Sequence, residues 1–325
     1  MSKIGLVLGS GAARGLAHIG VLKALGEENI AVDVIAGSSM GALVGACFAR
    51  EAKITELEEV VLKTDWKQLL RLSDPNLAFM LKGFIHGRKV EELLKVIIGD
   101  VEFKDLKIPL AVAATDINTG EEVIIKEGSV AEAVRASISI PVIFMPVKIG
   151  NRFLMDGGIV NPVPVNAAKD MGAEFVIACN VILKPQERKY SGSMKKQKPP
   201  LTVPKVKIKT EALSELNIKI NKLLQENKAK IQDFQKFIKS KVHKNIPGID
   251  PNTPGIFDTI LGAIYAMEYE IAQIKIKEAD VIITPDTAGI AALEFYRGEE
   301  VISKGYEAVK NVLPHIQKLM SGDFR

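Results

Sequence analysis

The sequence predicts an α/β fold in which a mainly parallel central sheet lies between layers of helices. Short apolar runs at residues 3–9 and 33–38 have the length of buried strands. Each run ends in small residues and leads into a stretch whose apolar residues recur at helical spacing. Two such strand–turn–helix units in succession indicate parallel strands covered by helices. With 47% hydrophobic residues, the chain can also bury a sizeable core.

Later elements follow the same rules. Helices are predicted where apolar residues recur every three or four positions: from Leu16, from about Met40, across much of 55–98, and at 129–136, 163–173 and 256–276. Strands are predicted where short apolar runs are bounded by turn residues: 109–116, 121–126, 174–182 and 280–285, with a hairpin at 147–156. The end of the chain is again helical. This alternation of the two kinds of segment favours the α/β class.

Length and composition set further limits. The 325 residues suffice for one large domain or two ordinary ones. The two cysteines, Cys47 and Cys179, lie in apolar stretches and have no metal-ligand spacing, so we expect free thiols and no metal. The N-terminus lacks the pattern of a signal peptide, and no apolar run reaches the length of about 18 residues typical of a membrane span. These features predict a cytoplasmic protein.

Positive charge is concentrated in one part of the chain. Residues 184–244 contain 17 Lys or Arg and five Asp or Glu, a net charge of +12, although the whole chain carries only +4. Within 184–255 we predict a Lys-rich linker over 185–205 and an amphipathic helical insertion over 210–242. Residues 205–244 could hold the protein peripherally on an anionic membrane, pack on the body or on a second copy in a homodimer, or form a solvated insertion. No nucleic-acid-binding motif accompanies the charge, so nucleic acid is not an expected partner.

Small residues dominate the turn after the first predicted strand, GSGAARG at 9–15. Backbone N–H groups in such a turn, placed before a helix, can face an anion. On this stretch alone a nucleotide site, an oxyanion hole and a simple tight turn all stay open. The nucleotide fingerprints fit poorly, because the Lys-Ser/Thr of a P-loop is missing and Arg14 stands where the dinucleotide motif requires glycine. The candidate residues of this turn for an oxyanion hole or for substrate binding are Gly9, Ser10, Gly11, Ala12, Arg14 and Gly15.

A second turn, GSSMG at 37–41, has the pattern Gly-x-Ser-x-Gly. Its central residue, Ser39, lies between a predicted strand and a predicted helix, which is the setting of a nucleophile elbow. Gly37 and Gly41 leave room for this sharp turn, and the N-terminus of the following helix favours a developing alkoxide. Because an amide-rich turn follows the neighbouring strand, Ser39 is the candidate nucleophile.

A serine nucleophile needs a base, and the four histidines fit that role poorly. His18 lies on the first predicted helix, and His86 follows a predicted turn. The Ser–Asp–His order of α/β-hydrolases leaves only His243 or His315 for the last position. Neither stands at a strand end beside a turn, so we interpret both as structural or surface residues.

Asp156 is better placed to act as the base. It ends the strand of the predicted hairpin, and Gly157 and Gly158 allow a tight turn that exposes its carboxylate. An ordinary Asp-Gly turn would have the same sequence. A carboxylate that is close to the hydroxyl and shielded from water can deprotonate serine, so a Ser39–Asp156 dyad is chemically reasonable.

GSGAARG, GSSMG and Asp156-Gly157-Gly158, in this order, resemble the motifs of the patatin-like phospholipases, which are lipid acyl hydrolases with a catalytic Ser–Asp dyad. Three further stretches look like blocks shared by bacterial members: AATDINTGEE (113–122), RASISIPVIFMPV (135–147) and DGGIVNPVP (156–164). The resemblance covers roughly residues 3–183 and resumes near 256–286. It implies a three-layer α/β/α patatin-like fold, with one hydrolase domain over 1–325 that contains the basic insertion 184–255.

The resemblance also implies roles for individual residues. Ser39 becomes the nucleophile, Asp156 the proton acceptor, and backbone N–H groups around Gly11 and Ala12 the oxyanion hole. Arg14 matches a basic position that orients this loop or meets a lipid phosphate. The sequence departs from the family at Ala12, where glycine is usual.

The implied activity is hydrolysis of phospholipids or lysophospholipids through an acyl-enzyme, with no cofactor. Two alternatives share the scaffold. An acyltransferase would pass the acyl group to an alcohol or thiol, and a non-catalytic protein would only bind a lipid or a nucleotide.

Overall fold

A computed structural model describes residues 2–51, 54–63, 88–187 and 256–321. In these residues, eight strands form one sheet: β1 Ile4–Leu8, β2 Val34–Ser38, β3 Leu110–Asp116, β4 Glu122–Ile125, β5 Val147–Ile149, β6 Arg152–Asp156, β7 Phe175–Cys179 and β8 Val281–Ile283. The longer helices are α1 Ala17–Glu27, α2 Met40–Glu51, α3 Thr55–Lys63, α4 Arg88–Ile98, α5 Val130–Ser137, α6 Val165–Asp170, α7 Ile256–Lys275 and α8 Gly298–Met320. Short 3-10 turns connect several of them, including Ala12–Leu16 and Gly157–Ile159.

The strands are ordered β5-β6-β3-β2-β1-β7-β8, with β4 beside β3. From β3 to β8 along this order, neighbouring strands run parallel. The pairs β3–β4, β3–β6 and β5–β6 are antiparallel. All the antiparallel pairing of the sheet therefore lies at one end of the strand order. The prediction of an α/β fold with a mainly parallel sheet is confirmed.

Apolar side chains cover both faces of this sheet. Because successive strand residues point to opposite faces, Leu6 of β1 packs in one apolar cluster and its neighbour Val7 in another. The first cluster contains residues of α1, α2, α5 and α8, and the second contains residues of α6 and α7. Helices therefore lie on both faces, as in a three-layer α/β/α fold.

One edge of β3 is shared by two strands. Residues 110–113 pair with the parallel strand β2, and residues 114–116 pair with the antiparallel strand β6. Strand β4 occupies the opposite edge, where it pairs with 112–115. The last residue of β2 and the last residue of β6 therefore oppose consecutive positions of β3, Ala113 and Ala114. The pairing of β2 with β3 therefore stops where the pairing of β6 with β3 starts, and the C-terminal ends of β2 and β6 meet.

The predicted elements differ from the observed ones mainly at their ends. The first strand is shorter than predicted by one residue at each end, and a 3-10 turn precedes α1. The helix predicted at 163–173 is shorter in the structure, where it is the six-residue α6. Val163 and Pro164 lie in the loop that leads into it. The helical insertion predicted at 210–242 lies outside the described residues, and the single-domain organisation stays a prediction. No helix within the described ranges is long and apolar enough to cross a membrane.

Candidate active site

Ser39 lies directly after β2 and directly before α2, at a strand-to-helix turn. Its φ angle is 53°, in the left-handed region that non-glycine residues rarely occupy. The turn is tight enough that a Cβ on Gly41 would lie 2.0 Å from the carbonyl oxygen of Leu8 in the neighbouring strand. The motif glycine is therefore required because helix α2 starts against the backbone of β1. This is the geometry of a nucleophile elbow.

The backbone of Ser39 is held in this conformation by a second serine. Its N–H donates to Oγ of Ser137 at 2.8 Å, and the Ser137 hydroxyl donates to the carbonyl of Ala113 at 2.6 Å. Ser137 is the last residue of α5 and is fully buried. The unusual φ angle is thus supported by two hydrogen bonds in the interior.

The side chain of Ser39 meets the carboxyl group of Asp156. The Ser39 hydroxyl donates to Oδ2 of Asp156 at 2.8 Å, and the N–H of Gly158 donates to Oδ1, also at 2.8 Å. The backbone of Asp156 is fixed as well, since its N–H donates to the carbonyl of Ser139 and its carbonyl accepts from the hydroxyl of Thr115. Both ends of this serine–carboxyl pair are therefore fixed before any substrate arrives.

Burial changes the acidity of Asp156. Its side chain is only 2% exposed, and desolvation raises its pKa from about 4 to about 7, although the hydrogen bonds from Gly158 and Ser39 act in the opposite direction. A carboxylate with a pKa near neutral pH is a stronger base than an exposed one. The environment therefore makes Asp156 better suited to remove a proton from serine.

The loop after β1 presents two backbone donors. The N–H groups of Gly9, Ser10 and Ala13 donate to carbonyls of other segments at 2.8–3.0 Å. Within the described residues, the N–H groups of Gly11 and Ala12 have no hydrogen-bond acceptor. Ala12 has a φ of 49°, so alanine adopts here the conformation for which glycine is usual. The arrangement can stabilise a negative charge on an acyl oxygen.

Two buried side chains hold this loop from behind. Nε2 of His18 donates to the carbonyl of Gly9 at 2.8 Å, and burial lowers the pKa of His18 to about 4, so the ring is neutral at ordinary pH. The guanidinium of Arg14 donates to the carbonyls of Val181 and Ile290, both at 3.3 Å, and lies over the ring of Tyr265. Arg14 is therefore directed into the protein, and its contacts orient the loop.

The structure brings most of the predicted site residues to one place. Ser39 and Asp156 are in contact, and Gly158 contributes to the same hydrogen-bond network. A Cβ on Gly158 would lie 2.7 Å from Oγ of Ser10, so the loop of residues 9–15 also reaches this point. The remaining motif residues shape the turns after β1, β2 and β6: Gly9, Gly11, Ala12, Gly15, Gly37, Gly41 and Gly157. Catalytic roles for these residues stay predictions.

The histidines lie elsewhere. His18 packs behind the loop of residues 9–15, and His315 is exposed on α8. The predicted alternatives His86 and His243 fall outside the described residues. Across the ranges that the structure describes, no group of three or more His, Cys, Asp or Glu side chains could hold a metal ion.

Sequence reasoning missed four residues that complete this region. Ser137, Ser139 and Thr115 fix the backbone of the serine–carboxyl pair, and Glu268 lies beside it. The first three fall in stretches already noted as family-like blocks, and that was the only available signal. Glu268 had none, because an acidic residue in a helical segment is usually exposed.

A protein-family model matches the part of the sequence that contains the serine–carboxyl pair. The model described as patatin-like phospholipase matches residues 6–169, which is half of the chain and includes the loop of residues 9–15, Ser39 and Asp156. The chain belongs to the patatin-like phospholipase family. Helices α7 and α8 and strand β8 lie beyond the matched residues.

Individual relatives match a similar share of this patatin-like protein. An uncharacterized NTE family protein of Mycobacterium tuberculosis is 37% identical over 179 residues, which is 55% of this chain and 49% of the relative. Neuropathy target esterase sws of Drosophila melanogaster is 38% identical over 188 residues, again 55% of this chain but 13% of the relative. The chain thus matches half or less of the length of these relatives. Among solved structures, VipD of Legionella pneumophila aligns with 97% of this chain and 67% of its own, at 14% identity and a TM-score of 0.48.

Proposed function

We propose that this protein hydrolyses acyl esters of lipids, with Ser39 as nucleophile and Asp156 as its base. The observation that carries the proposal is the 2.8 Å hydrogen bond from the Ser39 hydroxyl to Asp156 Oδ2 at a buried strand-to-helix turn. The N–H groups of Gly11 and Ala12 on the neighbouring turn, which have no acceptor among the described residues, support it. Membership of a phospholipase family gives the class of substrate.

In the first step, Asp156 takes the proton of the Ser39 hydroxyl while Oγ forms a bond to the ester carbonyl carbon. The carbonyl oxygen becomes negatively charged in the tetrahedral intermediate. The N–H groups of Gly11 and Ala12 then donate to it, and in this water-poor site such bonds are strong. The helix dipole of α2 adds to the favourable potential at Ser39.

In the second step, the bond from the carbonyl carbon to the alcohol oxygen breaks. Protonated Asp156 gives its proton to that oxygen, and the alcohol leaves while the acyl group stays on Ser39. Asp156 next takes a proton from a water molecule that attacks the acyl-enzyme. The fatty acid is released, and the proton returns to the Ser39 oxygen, which restores the enzyme.

The substrates we propose are phospholipids or lysophospholipids. The family name supports a phospholipid ester, and the name of the Drosophila relative describes an esterase. Residues 205–244 would add a peripheral contact with an anionic membrane, because their Lys-rich sequence suits such a surface. A single hydrolase domain over 1–325, and a homodimer, remain further elements of the same proposal.

The proposal is tested by removing each member of the pair. Ser39→Ala and Asp156→Asn should each lower kcat/KM for a short soluble acyl ester by about 10⁴-fold or more, because the two residues act as a unit. Exposed Ser303 and Asp100 provide matched controls, and Ser303→Ala and Asp100→Asn should leave the rate unchanged. A fluorophosphonate probe should label wild-type protein at Ser39. Near-full activity in Asp156→Asn, or labelling at another residue, would refute the dyad.

A further inference from the structure

A buried arginine near the serine–carboxyl pair has no acidic partner in the described part of the chain. Arg135 lies in the last turn of α5 and is only 2% exposed. Burial lowers its pKa, and the charge of Glu91 on α4 opposes that effect, but the Glu91 carboxyl group pairs with Lys95 instead. A buried charge without a counter-ion is costly, so the contacts of Arg135 call for a physical explanation.

The guanidinium of Arg135 holds three points of the segment that follows α5. Nη1 donates to Oγ of Ser139, and Nη2 donates to the carbonyl of Met145 at 3.4 Å. Cζ lies 5.2 Å from the centre of the Phe144 ring, which is within the range of a cation–π contact. The Ser139 hydroxyl donates in turn to the carbonyl of Arg135 at 2.8 Å. Arg135 therefore joins the two ends of the turn over residues 139–145.

This turn has a strained backbone at its centre. Val142 has a φ of 72°, and a β-branched residue rarely adopts a positive φ angle. Such a conformation persists only where the surrounding contacts determine it. The hydrogen bonds from Arg135 to Ser139 and Met145 lie on either side of Val142 and connect the two ends of the turn. They are contacts of the kind that the strained residue requires.

The same turn supplies the backbone acceptor for Asp156. The N–H of Asp156 donates to the carbonyl of Ser139 at 3.0 Å. Strand β5 pairs with β6 only over residues 152–154, so the carbonyl of Ser139 takes the place of a strand partner at Asp156. A displacement of Ser139 would therefore move the end of β6, together with the carboxyl group that faces Ser39. A shift of about 1 Å in such a group is enough to slow a reaction strongly.

We propose that Arg135 is a positioning residue for the base of the proposed reaction, because through Ser139 it keeps the carboxyl group of Asp156 within reach of the Ser39 hydroxyl. This inference rests on the proposed function. Arg135 makes no hydrogen bond to Ser39 or Asp156, and its burial keeps it away from a substrate. It should therefore act on kcat and not on KM. An arginine that only stabilised the C-terminal end of α5 through the helix dipole would have no such effect.

Kinetics on a short soluble ester, 4-nitrophenyl butyrate, test the inference. Arg135→Met keeps an apolar chain but removes the donors, and kcat per folded molecule should fall about 30-fold while KM stays within about threefold. Arg135→Lys keeps the charge but lacks the planar fork, so its kcat should be intermediate. Arg152, exposed on the strand that carries Asp156, supplies the control, and Arg152→Met should keep the wild-type kcat. Circular dichroism gives the folded fraction of each variant.

A double-mutant cycle shows whether Arg135 acts through Ser139. Ser139→Ala removes the hydroxyl that accepts from Arg135 but keeps the carbonyl that accepts from Asp156. When Arg135→Met is added to Ser139→Ala, kcat should fall by less than about a further threefold, because the connection is already broken. Two residues that acted independently would give effects that multiply.

The outcomes separate this inference from the proposed function. An unchanged kcat in folded Arg135→Met, an effect on KM alone, or effects that multiply in the cycle would each overturn the positioning role while Ser39-dependent hydrolysis continues. If Arg135→Met does not fold, a wild-type kcat in Ser139→Ala overturns it instead. Absence of Ser39-dependent hydrolysis by the wild-type protein refutes the proposed function itself.

Discussion

Two strand-to-helix turns lie side by side in this fold, and they are held in different ways. The loop of residues 9–15 follows β1, and the elbow at Ser39 follows β2, its parallel neighbour. Each turn contains a non-glycine residue at positive φ, Ala12 at 49° and Ser39 at 53°. The two turns thus carry a similar backbone strain in the same part of the sheet.

The partners of the two turns come from different parts of the chain. The elbow is fixed by Gly41 against β1 and by hydrogen bonds that Ser39 donates to Ser137 and Asp156, all within the family match. The loop is fixed largely by remote segments, since Arg14 donates to Ile290, 276 positions away, and Ala13 donates to Ala292. The position of Ser39, the proposed nucleophile, is therefore set within the part of the chain that the family model matches. The orientation of the loop amides depends also on the C-terminal part of this chain.

The largest effect is expected where the elbow is tightest. Gly41→Ala places a Cβ 2.0 Å from a backbone oxygen of β1, which cannot move without disturbing the centre of the sheet. We expect the free energy of unfolding to fall by about 3 kcal/mol or more. Any folded fraction should lose about 100-fold in kcat, because Ser39 is displaced. Chemical denaturation and ester hydrolysis measure the two effects.

The control is Gly26→Ala on α1, where a Cβ would meet nothing within 4 Å. That change should stabilise the protein by about 0.5–1 kcal/mol, since alanine favours a helix more than glycine does. A Gly41→Ala protein as stable and active as Gly26→Ala would show that the elbow tolerates movement, and the contrast between the two turns would disappear.

The two turns should also differ in their dependence on pH. Asp156, at the elbow, has a pKa raised to about 7 by burial, and it must be ionised to act as a base. Below that pH, kcat/KM should fall about tenfold per unit. His18, behind the loop, has a pKa lowered to about 4 and stays neutral between pH 5 and 9. Its titration therefore causes no second change in kcat/KM over this range. A rate profile from pH 5 to 9 measures this, and a kcat/KM that stays constant from pH 9 down to pH 5 would contradict it.

The same raised pKa has a consequence for stability, with a definite sign. In the unfolded chain the carboxyl group of Asp156 titrates near its ordinary value of about 4. Between pH 4 and 7 the folded state holds more protons, so the free energy of unfolding should decrease as pH rises through this window. Asp156→Asn should remove that part of the pH dependence. An identical slope in the variant would mean that Asp156 is not the group responsible.

The sequence predicted the elbow because its determinants are local. A strand, the motif Gly37-x-Ser39-x-Gly41 and a helix follow one another within residues 33–51, and each has a periodic or steric signature. Asp156 was predicted from the Asp-Gly-Gly pattern at a strand end. The path that brings it to Ser39 was not predicted, because hydrophobic alternation does not specify which strand extends the edge of β3.

The contacts that surround the loop of residues 9–15 could not be predicted from the sequence. The contacts of Arg14 join segments far apart in the chain, and no sequence pattern indicates either them or the hydrogen bond from His18 to Gly9. Glu268 has the same character, since its burial follows from how α7 packs on the turn at Gly158. Long-range packing of this kind depends on the whole fold, whereas periodicity reports only on the segment that contains it.

The smallest effect is expected at Ala12, and it shows how much the loop depends on remote contacts. Ala12→Gly replaces an alanine at a positive φ angle with glycine, which adopts this conformation without strain. We expect the free energy of unfolding to change by no more than about 1 kcal/mol. Because His18, Arg14 and the carbonyl of Ala292 still hold the loop, kcat/KM for a soluble ester should stay within about threefold. Denaturation and steady-state kinetics measure the two quantities.

Asn29→Gly is the matched control, because Asn29 has a φ of 55° and is exposed away from the site. If relief of backbone strain is the only effect, both variants should shift stability by a similar amount. A loss of more than about tenfold in kcat for Ala12→Gly alone would mean that its methyl group orients the loop amides. The departure from glycine at Ala12 would then be a functional part of this oxyanion loop, and remote contacts would not suffice to hold it.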